Sequence, residues 1–569
     1  MAQLRRTAVS STEKKTQNPI AKAMSRARHS SFYHDLSLRG KNPLRLLGTP
    51  KDLWPGSVTA GTQMVAGKIM AGGHILENPK DDQNVWPGGD VWLDSNLSEH
   101  WQAYLHSFNW LRDLNQAVDR KGAQRRAEEL VETWIDQNTQ WGEISWRSDI
   151  VGERVTNWLI YAPLIMDSDD VLYRGRVLDI LARSARHLMK MSSDMPDGPA
   201  GLKAIIGLAF SGLFIPFGDA WLKQSVGHLK FSLGKEILVD GGIRSRNPQE
   251  LLHLFMNMVL LKDAFPGMGK TVPNELEKAV SRMASNLKSI TLGDGKLPLF
   301  NGSCLQRNED IPAFLIKAEE DATVTIVLEQ CGYNRIEKGQ TIIIEDVGPP
   351  VELEMSRSAH AGTLSFEMSH AKERIIVNLG QAAFNAQIDE NIERFSRSTE
   401  AHSTLVIGGQ NSSNIREDGL IGHGITTTDT SLYEENGHIL IDAKHDGYKE
   451  SGFSHRRLIY VDDKGEDIRG EDNVDLIGNQ NNESGQSFNI FFHLHPNVSL
   501  VEGNDHIMLV TETGSKWGFY SSDAKRSISE GLYFGDAGKS LPCQSIKLSG
   551  KIESANTKVL WSLKLIDEN

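Results

Sequence analysis

Cysteine is scarce in this sequence, which contains three cysteines among 569 residues. Cys304, Cys331 and Cys543 lie far apart, and this spacing excludes both a disulfide framework and a cysteine-based zinc knuckle. Long apolar runs are also missing: none reaches 18 residues, so we expect no transmembrane helix. The formal net charge of −13 disfavours a general nucleic-acid-binding protein.

Positive charge is concentrated at the N-terminus. Residues 1–45 carry ten Lys or Arg side chains and two acidic ones, a net charge of about +8, so the remainder carries about −21. This Ser-rich start lacks the apolar region of a secretory signal, and we therefore expect a cytoplasmic protein with a disordered basic arm over residues 1–50. The alternatives are an arm that docks on an anionic polymer or membrane, and an atypical export signal.

Residues 51–310 are predicted to form a helical domain. Between about residues 86 and 288 apolar residues recur at helical spacing, as in the stripe Trp101, Tyr104, Leu105, Phe108 and Leu111. Many of these segments begin near Asp, Ser, Asn or Pro, as helices do. Helical hairpins repeated in this way close into a bundle, a solenoid or a toroid, and the lack of a fixed repeat period disfavours a solenoid.

Residues 311–569 are predicted to form an antiparallel β-sandwich. Gly, Pro and Asn cluster at residues 289–303 and mark the boundary. Beyond about residue 321 the sequence alternates apolar and polar residues, is rich in β-branched side chains, and has Gly, Asn or Asp turns at short intervals. A helical half followed by a β half indicates two domains and not an α/β layer structure.

The stretch from Arg357 to Gly409 combines apolar strands with polar residues at unexpected places. His360 shares the parity of Leu364, so its side chain should face the core. His402 leads directly into a strand, and Asn378 lies within an apolar run. Because a buried imidazole needs a hydrogen-bond partner, these three polar side chains are candidates to partner one another.

This stretch resembles the C-terminal domain of the heparinase II/III-like polysaccharide lyases. SAHAGTLSFEMS, RIIVNLG and SRSTEAHSTLVI resemble the family's H-x-H-A-D-x-L-S, V-D-x-G and R-x-T-x-A-H-N-T segments in order and spacing. LHSFNWL, WRSDIVGERVTNWLIY, ILVDGGIRSRNPQELL and HDGYKESGFSHRRLIY resemble further family segments, so the resemblance covers roughly residues 90–500. It implies a bacterial carbohydrate-active protein with an N-terminal (α/α) toroid, an antiparallel β-sandwich, and a substrate groove between them.

A lyase acting on a uronate polymer removes the C5 proton and expels the C4 oxygen. The uronate carboxylate must be neutralised by a cation, an amide or a protonated carboxyl, and a His or Tyr then moves the proton. The three family positions that the resemblance assigns to this chemistry fall on Pro199, Glu250 and Ser358. None of the three keeps the family's Asn, Tyr or His.

The first function compatible with this departure is a lyase with a rearranged site. Its predicted catalytic residues are Arg246, Asn247, Glu250 and His253. Arg246 or Asn247 would neutralise the carboxylate at a helix start, where the helix dipole also favours an anion, and His253 or a nearby Tyr would move the proton. The same motif has an ordinary structural explanation, in which Asn247 caps the helix and Pro248 takes its first position.

Two other functions stay open. One is a glycoside hydrolase, for which four carboxylates are available: Asp149, Glu153, Asp240 and Glu250. The other is a catalytically inactive glycan-binding or envelope-polysaccharide assembly protein on the same scaffold. The expected partner is an acidic polysaccharide, and the resemblance implies the cell envelope or periplasm as an alternative location. By resemblance, the substrate-binding residues are His106, Arg154, Asn157, Arg397, His445, His455 and Arg456.

The resemblance also implies a structural zinc site in the β-domain. Its ligands fall on His360, Asn378 and His402, so two imidazoles remain while the family's carboxylate has become an amide, which is a poor zinc ligand. The alternatives are a metal-free His–Asn–His hydrogen-bond cluster, and zinc held by the two His with water or Glu367. The chemistry of β-elimination itself requires no cofactor.

Overall fold

A computed structural model gives the fold. It describes residue 34 and residues 36–566, apart from residues 72–73, 95, 306–308, 383–389, 478–484, 537–538 and 554–555. Most of the predicted basic arm over residues 1–50 therefore lies outside the described residues. Within this described part, no helix is long and apolar enough to cross a bilayer.

The first half of the described chain is helical. Its helices are α1 (Val58–Val65), α2 (Glu99–Ser107), α3 (Leu111–Leu114), α4 (Arg120–Asn138), α5 (Ser148–Ile160), α6 (Ala162–Ile165), α7 (Val171–Met191), α8 (Pro199–Phe214), α9 (Asp219–Glu236), α10 (Pro248–Gly267), α11 (Asn274–Ile290) and α12 (Ile311–Lys317). A small hairpin of β1 (Met70–Ala71) and β2 (His74–Ile75) lies between α1 and α2. The predicted start signals hold for α2 and α7, because Ser98 and Asp170 accept hydrogen bonds from backbone N–H groups of the first turn.

The second half is built from antiparallel strands. They are β3 (Val327–Leu328), β4 (Tyr333–Lys338), β5 (Thr341–Asp346), β6 (Phe366–His370), β7 (Glu373–Val377), β8 (Leu405–Ile407), β9 (Ser413–Ile415), β10 (Ile421–Gly424), β11 (Thr428–Glu435), β12 (His438–His445), β13 (Phe453–Val461), β14 (Asp467–Leu476), β15 (Ser487–Leu494), β16 (Ser499–Glu502), β17 (Ile507–Val510), β18 (Lys516–Ser522), β19 (Lys525–Asp536), β20 (Lys539–Lys551) and β21 (Asn556–Leu565). One short helix, α13 (Glu390–Ser396), interrupts them.

Two large sheets make the sandwich. One has the strand order β11-β12-β13-β14-β21-β18-β17-β16, and the other β19-β20-β15-β7-β6-β5-β4-β3 with β8 added against β15. Their inner faces share one apolar core, in which the ring of Phe366 stacks on Trp561 with centroids 5.5 Å apart. This order of helices and then antiparallel sheets confirms the predicted fold class.

Buried arginines join the two domains. Arg335 of β4 donates from Nη1 to two backbone carbonyl oxygens at the end of α11, at 2.9 and 2.7 Å. Arg374 of β7 pairs with Asp294 at 2.8 Å and donates to the carbonyl oxygen of Leu297 at 2.7 Å. Charged hydrogen bonds of this kind are stronger than neutral ones, so they fix the β-sandwich against the last long helix.

Candidate functional site

The positions that the resemblance assigns to catalysis meet at the seam between the domains. A Cβ placed on Gly302 would lie 2.7 Å from the carbonyl oxygen of Ser358 and 3.1 Å from Nδ2 of Asn247. Ser358 therefore lies beside the start of α10, whose first turn holds Glu250. The third position, Pro199, is the first residue of α8, at the same seam.

Met355 connects this third position to the other two. A Cβ on Gly198, directly before Pro199, would lie 3.4 Å from Sδ of Met355, and Met355 precedes Ser358 by three residues. Gly198 has a φ of +84°, a conformation that a side chain rarely adopts. The three positions that the resemblance assigns to catalysis thus lie at one seam, where a proline, a glutamate and a serine occupy them.

Lys203 lies one turn after Pro199 on α8 and is surrounded by carboxylates. Its Nζ is 3.0 Å from Oε1 of Glu153, and the charges of Glu250 and Asp149 also act on it. Burial alone would lower the pKa of Lys203, but these carboxylates outweigh burial and raise the pKa. The lysine is therefore protonated at neutral pH, and the nearby carboxylates balance its positive charge. Sequence reasoning missed it, although it is the one charged residue in the apolar run AGLKAIIGLAF.

Three of the four carboxylates proposed for a hydrolase thus gather around one lysine. Asp149 is itself held by Arg147, whose Nε lies 2.8 Å from Oδ1. Glu250 accepts a hydrogen bond from Oγ of Ser245 at 2.7 Å. The fourth, Asp240, lies elsewhere and accepts two backbone hydrogen bonds from the β-domain, both at 2.8 Å.

His253 lies one turn after Glu250 on α10, and its ring is exposed to solvent. It makes no hydrogen bond with the described residues. The surrounding protein, and then the positive charges of Lys203 and Arg112, lower the pKa of His253 below its ordinary value. Arg112 is itself paired with Asp52 at 3.0 Å. The imidazole is therefore neutral at physiological pH and can accept a proton, but its lowered pKa makes it a weak base.

Arg246 is not free to meet a substrate carboxylate, which corrects the expectation from the sequence. Its buried guanidinium pairs with the carboxylate of Asp346 on β5. It also donates to three backbone carbonyl oxygens of the β-domain at 2.7, 2.6 and 3.1 Å; these belong to Cys331, Pro349 and Gly332. Every nitrogen of the guanidinium is engaged, so Arg246 joins the two domains.

Asn247 has the ordinary structural role that the sequence also allowed. Its Oδ1 accepts hydrogen bonds from the backbone N–H groups of Gln249 at 2.9 Å and Glu250 at 3.1 Å, and from Oγ of Ser303 at 3.3 Å. Pro248 takes the first position of α10. These bonds satisfy free N–H groups of the helix start, so the Oδ1 atom of Asn247 serves as a cap, while its Nδ2 group makes no hydrogen bond with the described residues.

Arg154 and Asn157 were expected to bind substrate, but both lie inside the helical domain. Arg154 packs its guanidinium 4.2 Å from the ring centroid of Trp134 and donates to the carbonyl oxygen of Ser145 at 2.7 Å. Asn157 donates to the carbonyl oxygen of Ser107 at 2.9 Å. Both residues are more than nine-tenths buried, so each stabilises the packing of α5.

His106 is only partly buried, and it lines a cavity between α2 and the turn before α5. Its Nδ1 accepts a hydrogen bond from Nε1 of Trp134 at 2.9 Å, and its ring stacks on Trp92 with centroids 5.6 Å apart. Burial and the charge of Arg154 lower the pKa of His106 to about 3, so the imidazole is neutral at physiological pH.

The predicted groove-edge residues of the β-domain do not line the groove. His445 and His455 are buried between the sheets, and Nε2 of His455 lies 2.6 Å from Oδ1 of Asp472. Arg456 points to the outer face of its sheet and pairs with Asp442 at 2.5 Å. The alternation of β13 explains this, because neighbouring residues of one strand face opposite sides of the sheet.

Arg397 is also buried, and its guanidinium donates to the carbonyl oxygens of Ala359 at 3.0 Å and Ser356 at 3.1 Å. It therefore supports the segment that leads to Ser358 and does not reach the groove itself. Arg357, which sequence reasoning did not select, is exposed beside this segment and adds positive charge near Glu393.

His360 and His402 form the predicted imidazole pair, with Nδ1 of His360 3.1 Å from Nε2 of His402. Nδ1 of His402 donates to the carbonyl oxygen of Ser398 at 2.6 Å, so His360 must donate within the pair. Asn378 does not join them: its Nδ2 donates to Glu367 at 3.3 Å, and its Oδ1 accepts from a backbone N–H at 2.9 Å.

This arrangement does not fit the implied zinc site. The facing nitrogens of the two imidazoles are bonded to each other, and Glu367 is committed to Arg374 at 3.2 Å. Among the described residues, no group of three or more His, Cys, Asp or Glu side chains could hold a metal ion. Burial lowers the pKa of His402 to about 4, so the pair is neutral at physiological pH.

Comparison with known proteins agrees with this architecture. The family model described as "Heparinase II/III-like, C-terminal" matches residues 323–562. The crystal structure of heparinase III covers 96% of this chain and 91% of its own, with a TM-score of 0.73 and 14% sequence identity. Heparan sulfate lyase HepC from Pedobacter heparinus covers 97% and 91%, with a TM-score of 0.57 and 15% identity.

The class is therefore a helical (α/α) domain followed by an antiparallel β-sandwich, as in the heparinases. Within that class, residues 323–562 match the heparinase II/III-like C-terminal family model, as the motifs of this stretch predicted, at low sequence identity to the solved heparinases. The chain is also 26% identical over 546 residues to "FtsZ-localized protein C" of Caulobacter vibrioides (strain NA1000 / CB15N). That similarity spans 93% of this chain and 92% of the relative.

Proposed function

We propose that this protein uses a heparinase scaffold to bind glycan at the bacterial division site, and that it does not catalyse β-elimination. The observation that carries the proposal is that cationic side chains at the seam are paired with carboxylates of the protein itself. A lyase needs a free cation or amide beside the uronate carboxylate, because the C5 proton becomes acidic only when that charge is neutralised. Three cations at the seam, Arg246, Lys203 and Arg112, are each paired with a carboxylate of this chain.

Three cationic side chains support this view. Arg246 is bonded to Asp346 and three carbonyl oxygens, Lys203 is paired with Glu153, and Arg112 is paired with Asp52. A substrate carboxylate would have to displace these partners and would also meet the negative charges of Asp149 and Glu250, so the cleft disfavours a uronate.

The division-site part of the proposal rests on the relative named "FtsZ-localized protein C". The similarity to that protein runs along nearly the whole length of both chains, at 93% and 92% coverage. Both domains are therefore included in the similarity, and we propose that this chain, like the relative by its name, localises with FtsZ.

A divergent lyase is the second candidate, and His253 is the observation that favours it. Its ring is exposed and neutral, and His253 lies one helical turn after Glu250. Glu250 occupies the position that the resemblance assigns to the family's catalytic tyrosine. Exposed Arg357 would then have to supply the positive charge for the carboxylate from the β-domain side.

The test is to incubate the purified protein with alginate, heparan sulfate, hyaluronan and bacterial exopolysaccharide. Ultraviolet absorbance follows the unsaturated uronate that β-elimination leaves, and an active heparinase is the positive control. We expect no increase with any polymer, and a fluorescent fusion should localise with FtsZ in dividing cells. An increase that His253→Ala abolishes would establish the lyase, and diffuse fluorescence would contradict the division-site role.

A further inference from the structure

The cavity beside His106 is lined by none of the residues at positions 199, 250 and 358, and it is a candidate site in its own right. It lies between α2 and the turn over residues 139–147, and it encloses about 510 Å³. This volume is within the range of pockets that hold small organic ligands. Its polar lining comes from Glu99, Gln102, His106, Glu143 and Arg147. We call it the α2 pocket.

His106 supplies a hydrogen-bond donor to this pocket. Because its Nδ1 accepts from Trp134 and its ring is neutral, the proton must be on Nε2. No hydrogen bond to a described residue occupies that N–H. Burial lowers the pKa of His106 first, and the charge of Arg154 lowers it further; Arg154 donates to the backbone carbonyl oxygens of His106 and Ser145 at 3.3 and 2.7 Å.

The other polar groups of the α2 pocket supply acceptors. Gln102 donates from Nε2 to the carbonyl oxygen of Leu97 at 2.7 Å, which leaves its own Oε1 free to accept. Glu143 is exposed at the rim. Glu99 accepts from Arg147 at 2.7 Å and keeps a second carboxylate oxygen. A ligand here meets donors and acceptors side by side, which suits hydroxyl groups because each hydroxyl both donates and accepts.

The charge of the α2 pocket excludes an anion. Its lining has two carboxylates, Glu99 and Glu143, against the single guanidinium of Arg147, and that guanidinium is held by Glu99 and by Asp149 at 2.8 Å. His106 adds no positive charge, since burial and Arg154 keep it neutral. A sulfate or uronate group would therefore be repelled at short range.

We infer that the α2 pocket binds an uncharged pyranose unit of a glycan. This inference deepens the proposed glycan-binding function and rests on it. It assigns the chain a ligand class different from the acidic polymers cleaved by lyases. The site lies beside the domain seam, because the residue after Glu99, His100, reaches Glu393 of α13 at 3.9 Å. A bound sugar would thus contact the helical domain next to its border with the β-domain.

The experiment is to titrate the full chain with three tetrasaccharides by isothermal calorimetry. They are chitotetraose and maltotetraose, which are uncharged, and a heparan-derived tetrasaccharide. We expect at least one uncharged tetrasaccharide to bind with little dependence on salt. Gln102→Ala and Glu143→Ala should each weaken that binding about tenfold, the usual effect of losing one hydrogen bond. Glu329→Ala, an exposed glutamate outside the pocket, is the matched control and should leave binding unchanged.

Three outcomes would overturn the inference: no binding of either uncharged sugar, binding that both pocket variants leave intact, or binding of the acidic sugar alone. Thermal unfolding of each variant shows that the fold is kept, since the altered side chains are partly or fully exposed. The absorbance assay on uronate polymers separates the two proposals, because a lyase signal refutes the proposed function whatever the tetrasaccharides do.

Discussion

Replacing Arg246 with methionine should destabilise the protein strongly, because this residue joins the domains from a buried position. Arg246→Met removes hydrogen bonds to three carbonyl oxygens and the partner of Asp346, whose side chain is 4% exposed. Two weaker bonds remain to that carboxylate, from the backbone N–H of Gly348 at 3.2 Å and from Asn301 at 3.3 Å. They do not neutralise its charge.

The magnitude follows from the loss of one partner of a buried ion pair, which costs about 3–5 kcal/mol. For a unit of about 250 residues, each kcal/mol lowers Tm by about 2–4 °C, so a loss of about 10 °C is expected. Arg456→Met is the matched control, since its pair with Asp442 is on the outer face of the sheet with the arginine 42% exposed. Such a pair contributes about 0–1 kcal/mol.

Differential scanning calorimetry of the two variants provides the measurement. A further variant, Arg246→Met with Asp346→Leu, should regain part of the lost stability, because the unpaired carboxylate is gone. Equal unfolding temperatures for Arg246→Met and Arg456→Met would refute the assigned role. If the prediction holds, loss of any activity in an Arg246 variant reports on folding and not on catalysis.

Two further predictions concern the β-domain. The His360–His402 pair should need no metal, so EDTA should leave Tm unchanged and added zinc should not raise it; a zinc-dependent increase would show that the imidazoles separate to bind metal. Glu345 should make stability fall as pH rises. Burial raises the pKa of Glu345 to about 8, whereas the unfolded value is about 4.3, so the folded state binds the proton more tightly. The contribution of Glu345 to stability should be complete below about pH 4 and fall by up to about 1.4 kcal/mol per pH unit between about pH 5 and 8. Glu345→Gln should remove this slope in guanidinium unfolding measured at pH 5 and pH 8, and an unchanged slope would contradict the assignment.

The sequence was sufficient for features that depend on neighbours along the chain. The parity argument placed His360 in the core, and the structure pairs it with His402. The cap at Asn247 and the proline at the first position of α10 could be expected from residues 247–250 alone. The change from helical to alternating periodicity identified both domains, because amphipathic patterns report directly on which face is buried.

The sequence was insufficient where a side chain has partners far along the chain. Arg246 lies before a helix start, and this position suggested an anion site. Its actual partners lie 85 to 103 residues away along the chain, so the sequence did not reveal that the guanidinium already binds groups of the β-domain. The alternation of β13 would have separated His455 from Arg456, but the motif resemblance placed both at the groove edge. Asn378 could not be separated from the imidazoles, because its parity alone does not reveal that Glu367 accepts its hydrogen bond.

The same charges explain how this scaffold could lose the family chemistry and keep its fold. Interdomain hydrogen bonds from Arg335, Arg374 and Arg246 hold the sandwich on the helices, and none depends on the residues at positions 199, 250 and 358. The residues at these three positions, which the resemblance assigns to catalysis, can therefore change without the loss of these interdomain contacts. Lys203 is paired with Glu153 and also lies near the charge of Glu250, so it offers no unpaired positive charge to an anionic polymer. A groove of this kind can bind uncharged glycan, and the α2 pocket has the donors and acceptors for it.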